Sequence, residues 1–230
     1  MNYKIKNLLS YLVLILPITL ISGPAIPDIT ISIVSIYFIY FLFNKNFLLN
    51  NINFNRELIY FSFFFWFFLL FVSLFSENKY LAYRDSIIFI RILLIPIFLY
   101  FWILSEKNNL YKITTIIFYT VLFVCFDTIY QFLNYNPESG FGGDIFGFVP
   151  DFYGRLSGPF YKELIPGSFI SKFALLGLVY LFLNFSDNYK KKSLIIFYLS
   201  LVGITCFISG ERMALATFLL GLLILLLFLN

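Results

Sequence analysis

Seven charged residues, Arg84, Arg91, Asp127, Arg155, Lys172, Glu211 and Arg212, lie inside or beside long apolar runs of this 230-residue chain. Arginine's planar fork grips two oxygens of a phosphate at once and stays charged at every physiological pH. Arg84 and Arg91 are seven residues apart, which places them on one helix face. Arg155 precedes Leu156-Ser157-Gly158-Pro159-Phe160, and Arg212 follows a Ser209-Gly210-Glu211 turn. A single arginine near the end of an apolar run does no more than reach for lipid headgroups. Several charges at one level suit an anionic ligand, a phosphate above all. The sequence contains no His, so the commonest metal ligand and the commonest general base are missing. Cys125 and Cys206 lie in apolar runs and make neither a disulfide framework nor a zinc site.

The elements that must position these residues follow from composition. The chain is 61% hydrophobic and 12% charged, with 23% aromatic residues. An average soluble domain is about 25% charged. Mean hydropathy is +0.90 and the net charge is +4. These values exclude a soluble globular protein, a disordered tail and a nucleic-acid binder. A membrane-spanning helix needs about 20 mostly apolar residues. Eight candidates occur, over 8–22, 29–43, 58–75, 86–104, 111–133, 168–185, 193–209 and 212–229. Backbone in lipid must satisfy itself, so these runs are helices. The expected fold is an all-α polytopic transmembrane bundle of about eight spans, one integral domain over 1–230, with one long outer loop. Pro24 and Pro27 separate the first two runs, and Pro17 and Pro96 are expected to kink theirs. The first run has the basic start of a signal peptide, but Pro24 spoils a small-residue cleavage site, which favours a retained helix.

Orientation follows from the basic residues. With the N-terminus inside, Lys4, Lys6, Lys45, Arg56, Lys107, Lys112, Lys190, Lys191 and Lys192 are cytoplasmic. Lys79, Arg84, Arg155, Lys162 and Arg212 are outside. Most acidic residues are also outside. Depth follows from the helix rise. Arg91 lies roughly 7–8 Å in from the outer end of its span, Asp127 about 9 Å and Lys172 about 6 Å. Antiparallel neighbours would bring Arg91 and Asp127 level, as an ion pair either structural or functional.

The long loop covers about 134–163 and holds six of the twelve Gly between Gly140 and Gly158. A loop of this length is functional or disordered, and its interleaved Phe, Tyr and Val argue for order. Gly140-Phe141-Gly142-Gly143 is not a dinucleotide fingerprint, because no strand precedes it.

Two segments resemble a known family. Arg155-Leu156-Ser157-Gly158-Pro159-Phe160, followed by Glu163 and Gly167-Ser168-Phe169, is similar to the R-[LF]-x-G-x-F pattern of the O-antigen ligase and polymerase superfamily. Thr205 to Ala214, with Ser209-Gly210-Glu211-Arg212 at its centre, resembles that family's x-[ST]-G-x-R turn. The stretch from Tyr83 to Pro96 resembles its upstream arginine-bearing helix. The resemblance covers residues 80–230 loosely and the two motifs well.

It implies a glycosyltransferase of the bacterial inner membrane. Such an enzyme takes glycan from an undecaprenyl-pyrophosphate carrier at the periplasmic face and passes it to lipid A–core or to a growing glycan. Arg155 and Arg212 would be the catalytic arginines. Arg84, Arg91, Lys172, Glu163 and Glu211 would contact pyrophosphate or glycan. The scheme needs no metal or cofactor, and no nucleic acid takes part. Ligases of the family carry a functional His in a further loop. This chain has none and stops inside an apolar run, so a C-terminally truncated member is expected. Otherwise the base would be a carboxylate: Glu163, Asp151, Asp144 or Glu211. Two other readings are a transporter or flippase of lipid-linked sugars or small anions, and a membrane scaffold without chemistry.

Overall fold

The computed structural model describes residues 3–43, 56–106, 108–134, 136–138, 140, 142–186 and 188–229. Lys45 and Lys107, counted above as cytoplasmic cations, lie outside these residues, as does Phe141 of the glycine-rich loop. The described residues form eight α-helices and no strand. They are α1 (Tyr3–Thr19), α2 (Ala25–Phe43), α3 (Arg56–Ser73), α4 (Lys79–Ser105), α5 (Asn109–Leu133), α6 (Pro166–Asn184), α7 (Asn188–Ile208) and α8 (Arg212–Leu229). Each expected span therefore has its helix. Three, over Asn109–Leu133, Pro166–Asn184 and Tyr189–Ile208, are long and apolar enough to cross a membrane. The runs Leu8–Ser22, Ala25–Tyr40, Glu57–Ser73 and Arg212–Leu227 are apolar but shorter.

The prolines act as their chemistry requires. After Pro17, α1 ends and tightens into a 3-10 turn, Leu20–Ser22. Pro24 and Pro27 bracket the start of α2, where a missing N–H costs nothing, and the Asp28 N–H donates to the Pro24 carbonyl at 3.2 Å. Helix α4 instead runs unbroken past Pro96.

The chain packs as two compact units, residues 1–16 with 24–109, and residues 17–23 with 110–230. In the first, α4 packs against α2 and α3. Asn78 caps α4 by accepting the Leu81 N–H at 3.3 Å. The Trp66 indole donates to the Ser86 carbonyl at 2.9 Å and ties α3 to α4. Phe38 and Phe98 meet edge to face. Phe64, Phe67 and Phe71 stand more than half exposed along α3. An apolar outer face of this kind suits a lipid surround.

In the second unit α6 is the central helix, packed against both α7 and α8. Ile170, Ala174, Leu178 and Leu181 recur on its buried face at helical spacing. Gly177 lets the Tyr198 ring of α7 approach, and the Tyr198 hydroxyl donates to the Ala174 carbonyl at 3.0 Å. The described residues between Asn134 and Ile165 form an ordered loop that belongs to this unit.

Candidate functional site

The site grows from the C-terminal end of α5. Asp127, Thr128 and Gln131 are fully buried there. Asp127 and Gln131 are four residues apart, so they share a face. Gln131 uses its whole amide. Its Oε1 accepts the N–H groups of Ser157 at 3.1 Å and Gly158 at 2.8 Å. Its Nε2 donates to Ser157 Oγ at 3.0 Å and to the Phe148 carbonyl at 3.1 Å. Asp127 Oδ1 accepts the Ile145 N–H at 2.9 Å. One helix turn thus pins the loop at two places.

The segment after Arg155 is built to bury everything but that arginine. Leu156, Ser157 and Phe160 are buried, and the Phe160 ring meets that of Phe169 of α6 at a tilt. Gly158 has φ +51, and a Cβ there would lie 2.7 Å from Thr128 Oγ1. Only glycine suits both the left-handed backbone and the close approach. Arg155 itself is exposed.

The turn before α8 follows the same plan. Ser209 is buried, and its Oγ donates to the Cys206 carbonyl at 2.9 Å. Gly210 has φ +78, and a Cβ there would strike the Gly154 carbonyl and lie 3.2 Å from Arg155 Cα. Glu211 turns inward, and Arg212 is exposed as the first residue of α8. One bond joins the two motifs directly: the Leu156 N–H donates to the Ser209 carbonyl at 3.1 Å. Residues more than fifty positions apart in sequence therefore share one end of this unit.

The charges expected to work together divide into two sets. Arg155, Lys172 and Arg212 are exposed and have no hydrogen-bond or ion-pair partner among the described residues. Lys172 lies one turn beyond Ser168 on the same face of α6. Glu163 is exposed, and its N–H donates to the Phe160 carbonyl at 3.0 Å. Arg84 and Arg91 belong to the first unit and are matched there. Arg84 holds Asp85 at 3.0 Å.

Two expectations need correction. Arg91 pairs with Asp28 at 2.9 Å and donates to Ser32 Oγ at 2.9 Å, not to Asp127. Equal depth suggested Asp127, but α4 packs on α2, and α2 supplies the carboxylate that Arg91 holds. Asp127 takes a backbone N–H instead. Glu211, expected to touch substrate, is 6% exposed and caps α6. Its Oε1 accepts the Gly167 N–H at 2.9 Å, and its Oε2 accepts the Ser168 N–H at 3.2 Å and the Ser168 hydroxyl. A carboxylate on the free N–H groups of a helix start is a structural role, favoured by the helix dipole.

Of the carboxylates weighed as bases, Asp151 is paired with Lys162 at 3.2 Å. That contact raises the Lys162 ammonium above its ordinary pKa. Asp144 is buried and heads a tight turn, accepting the Phe148 N–H at 2.6 Å through Oδ1. Sequence reasoning missed Gln131. Its signal was an amide four residues after Asp127 in an apolar span, where a polar group must find partners. Among the described residues no group of three or more His, Cys, Asp or Glu could hold a metal ion.

Beside the loop lies a cavity of ≈ 630 Å³. Ile116, Tyr119 and Phe123 of α5, Phe146, Phe148 and Pro159 of the loop, and Ile18 and Ile21 line it. It is apolar except for Ser22, Thr120 and the Tyr119 hydroxyl. Compared with known proteins, the chain matches no protein-family model, no curated protein and no solved structure.

Proposed function

We propose that this chain is a membrane glycosyltransferase of cell-surface polysaccharide synthesis. It transfers glycan from an undecaprenyl-pyrophosphate carrier at the periplasmic face to lipid A–core or to a growing glycan. The observation that carries the reading is the Leu156–Ser209 backbone bond, which holds two exposed, unpaired arginines at one end of one unit. Arg155 and Arg212 bind the pyrophosphate and stabilise the charge that develops on it as the glycosyl bond breaks. The N-terminus of α8 adds its own preference for an anion beside Arg212. Lys172 adds a third positive charge. Glu211 serves by position, fixing the start of α6 against the Arg212 turn. The apolar cavity suits the chain of a lipid-linked donor better than a small soluble sugar. In this reading all eight helices traverse the bacterial inner membrane, with the N-terminus in the cytoplasm and the 134–165 loop outside.

Transfer of glycan from a purified lipid-pyrophosphate donor, measured in proteoliposomes, tests the reading. Arg155→Lys and Arg212→Lys should each lower the rate by about 10²–10³-fold, the usual loss for one such donor. Normal detergent-extracted yield and helix content should accompany that loss. Full transfer by both variants overturns the reading. Carrier flipping across the bilayer without glycosyl transfer assigns the chain to transport instead.

A further inference from the structure

A second polar centre lies beneath the arginines and takes no part in the transfer reading. Asp127 is fully buried and Asp144 is 4% exposed. Each uses one carboxylate oxygen as an acceptor, Asp127 Oδ1 for the Ile145 N–H and Asp144 Oδ1 for the Phe148 N–H. Each leaves its other oxygen, Oδ2, buried and without a hydrogen-bond partner among the described residues. The residues are close, since the amide held by Asp127 follows Asp144 directly in the chain. Two ionised carboxylates buried together without a counter-charge are strongly unfavourable. A bound cation removes the conflict.

The surroundings suit one. Thr128 Oγ1 donates to the Val124 carbonyl and keeps lone pairs free. A Cβ on Gly158 would come 2.7 Å from that oxygen and 3.7 Å from Asp127 Oδ2. That hydroxyl and that carboxylate oxygen therefore both lie beside the Gly158 backbone. Carboxylate, hydroxyl and carbonyl oxygens are the donor set of hard divalent cations.

We propose that Asp127 and Asp144 hold a divalent cation of the Ca²⁺ or Mg²⁺ class that fastens the 144–158 loop to the end of α5. The ion would be structural, neutralising the pair and stiffening the loop that presents Arg155.

The test uses the whole chain, purified in detergent and stripped with a chelator. Adding Ca²⁺ or Mg²⁺ at a hundredfold excess over Kd should raise Tm by about 5–10 °C. Asp127→Asn and Asp144→Asn should each weaken that response at least about tenfold, as loss of a ligating charge does. The exposed Asp151→Asn should leave it intact. Where an Asn variant fails to fold, Tb³⁺ luminescence on the unaltered protein, sensitised by nearby Tyr and displaced by Ca²⁺, reads binding directly. No Tm shift and no displaceable Tb³⁺ signal overturn the proposal. So does a shift that survives in both Asn variants. A Tm raised by acidification but not by either cation would show that a proton neutralises the pair, and would also overturn it.

Discussion

The arginines of the first unit are matched and those of the second are not. Arg84 and Arg91 each hold a carboxylate at 2.9–3.0 Å. Arg155 and Arg212 stand exposed with no partner among the described residues, although acidic side chains are near in sequence. Glu211 is adjacent to Arg212, yet it turns away to cap α6. Asp151 is four residues before Arg155, yet it holds Lys162. A charge left unmatched while its neighbours are committed elsewhere is available to a ligand. A charge already matched contributes to holding helices together.

The largest effect that would sharpen this contrast is on transfer. Arg155→Lys and Arg212→Lys should each cost about 10²–10³-fold. Arg84→Gln and Arg91→Gln should stay within about threefold, since an exposed or half-exposed pair is worth about 0–1 kcal/mol. Equal losses from all four variants would break the comparison.

Gln131→Leu comes next. It strands the buried Ser157 and Gly158 N–H groups, at about 1–3 kcal/mol each, so the unfolding midpoint should drop by about 5–10 °C. Transfer should fall with it, because the Arg155 segment loses its anchor. By contrast Ser35→Ala in the first unit removes one bond, to the Arg91 carbonyl at 2.9 Å. It should cost about 1 kcal/mol and leave transfer unchanged. A Gln131→Leu variant as stable as the parent would refute the role given to that amide.

Glu211→Gln separates a cap from a reacting group. The amide oxygen still accepts one backbone N–H, but the Gln Nε2 cannot accept the other, so the change should cost about 1–3 kcal/mol. Transfer should remain within about threefold. A collapse of transfer with a normal unfolding midpoint would return Glu211 to the substrate.

The smallest effect belongs to the first unit. Asp28→Asn should lower the unfolding midpoint by no more than about 2–4 °C. A larger drop would mean that the Arg91 pair is shielded from solvent more fully than its exposure implies.

Much of the architecture was legible along the chain, because an apolar helix announces itself through composition and length. All eight apolar runs became helices, and the observed ends differ from the expected ones by a few residues at most sites. Helix α4 is the exception, starting seven residues earlier than the apolar run at 86 because Asn78 caps it. Arg155 and Arg212 were also readable, since each sits in a short motif of turn and small residues. Pairing was not readable. Equal depth suggested Arg91 with Asp127, but depth fixes only one coordinate, and the partner depends on which helices pack side by side.

The sequence by itself determined that the chain is helical, roughly where each helix lies, and which end of each run carries charge. Those are local properties, set by hydropathy, proline and backbone hydrogen bonding within each segment. Tertiary structure alone decided which charges are used up. Glu211 caps a helix that begins 45 residues before it, as the Gly167 N–H on its carboxylate shows. Gln131 holds a segment 26 residues away. Such bonds join distant residues through backbone groups that every amino acid carries, so side-chain identity does not encode them.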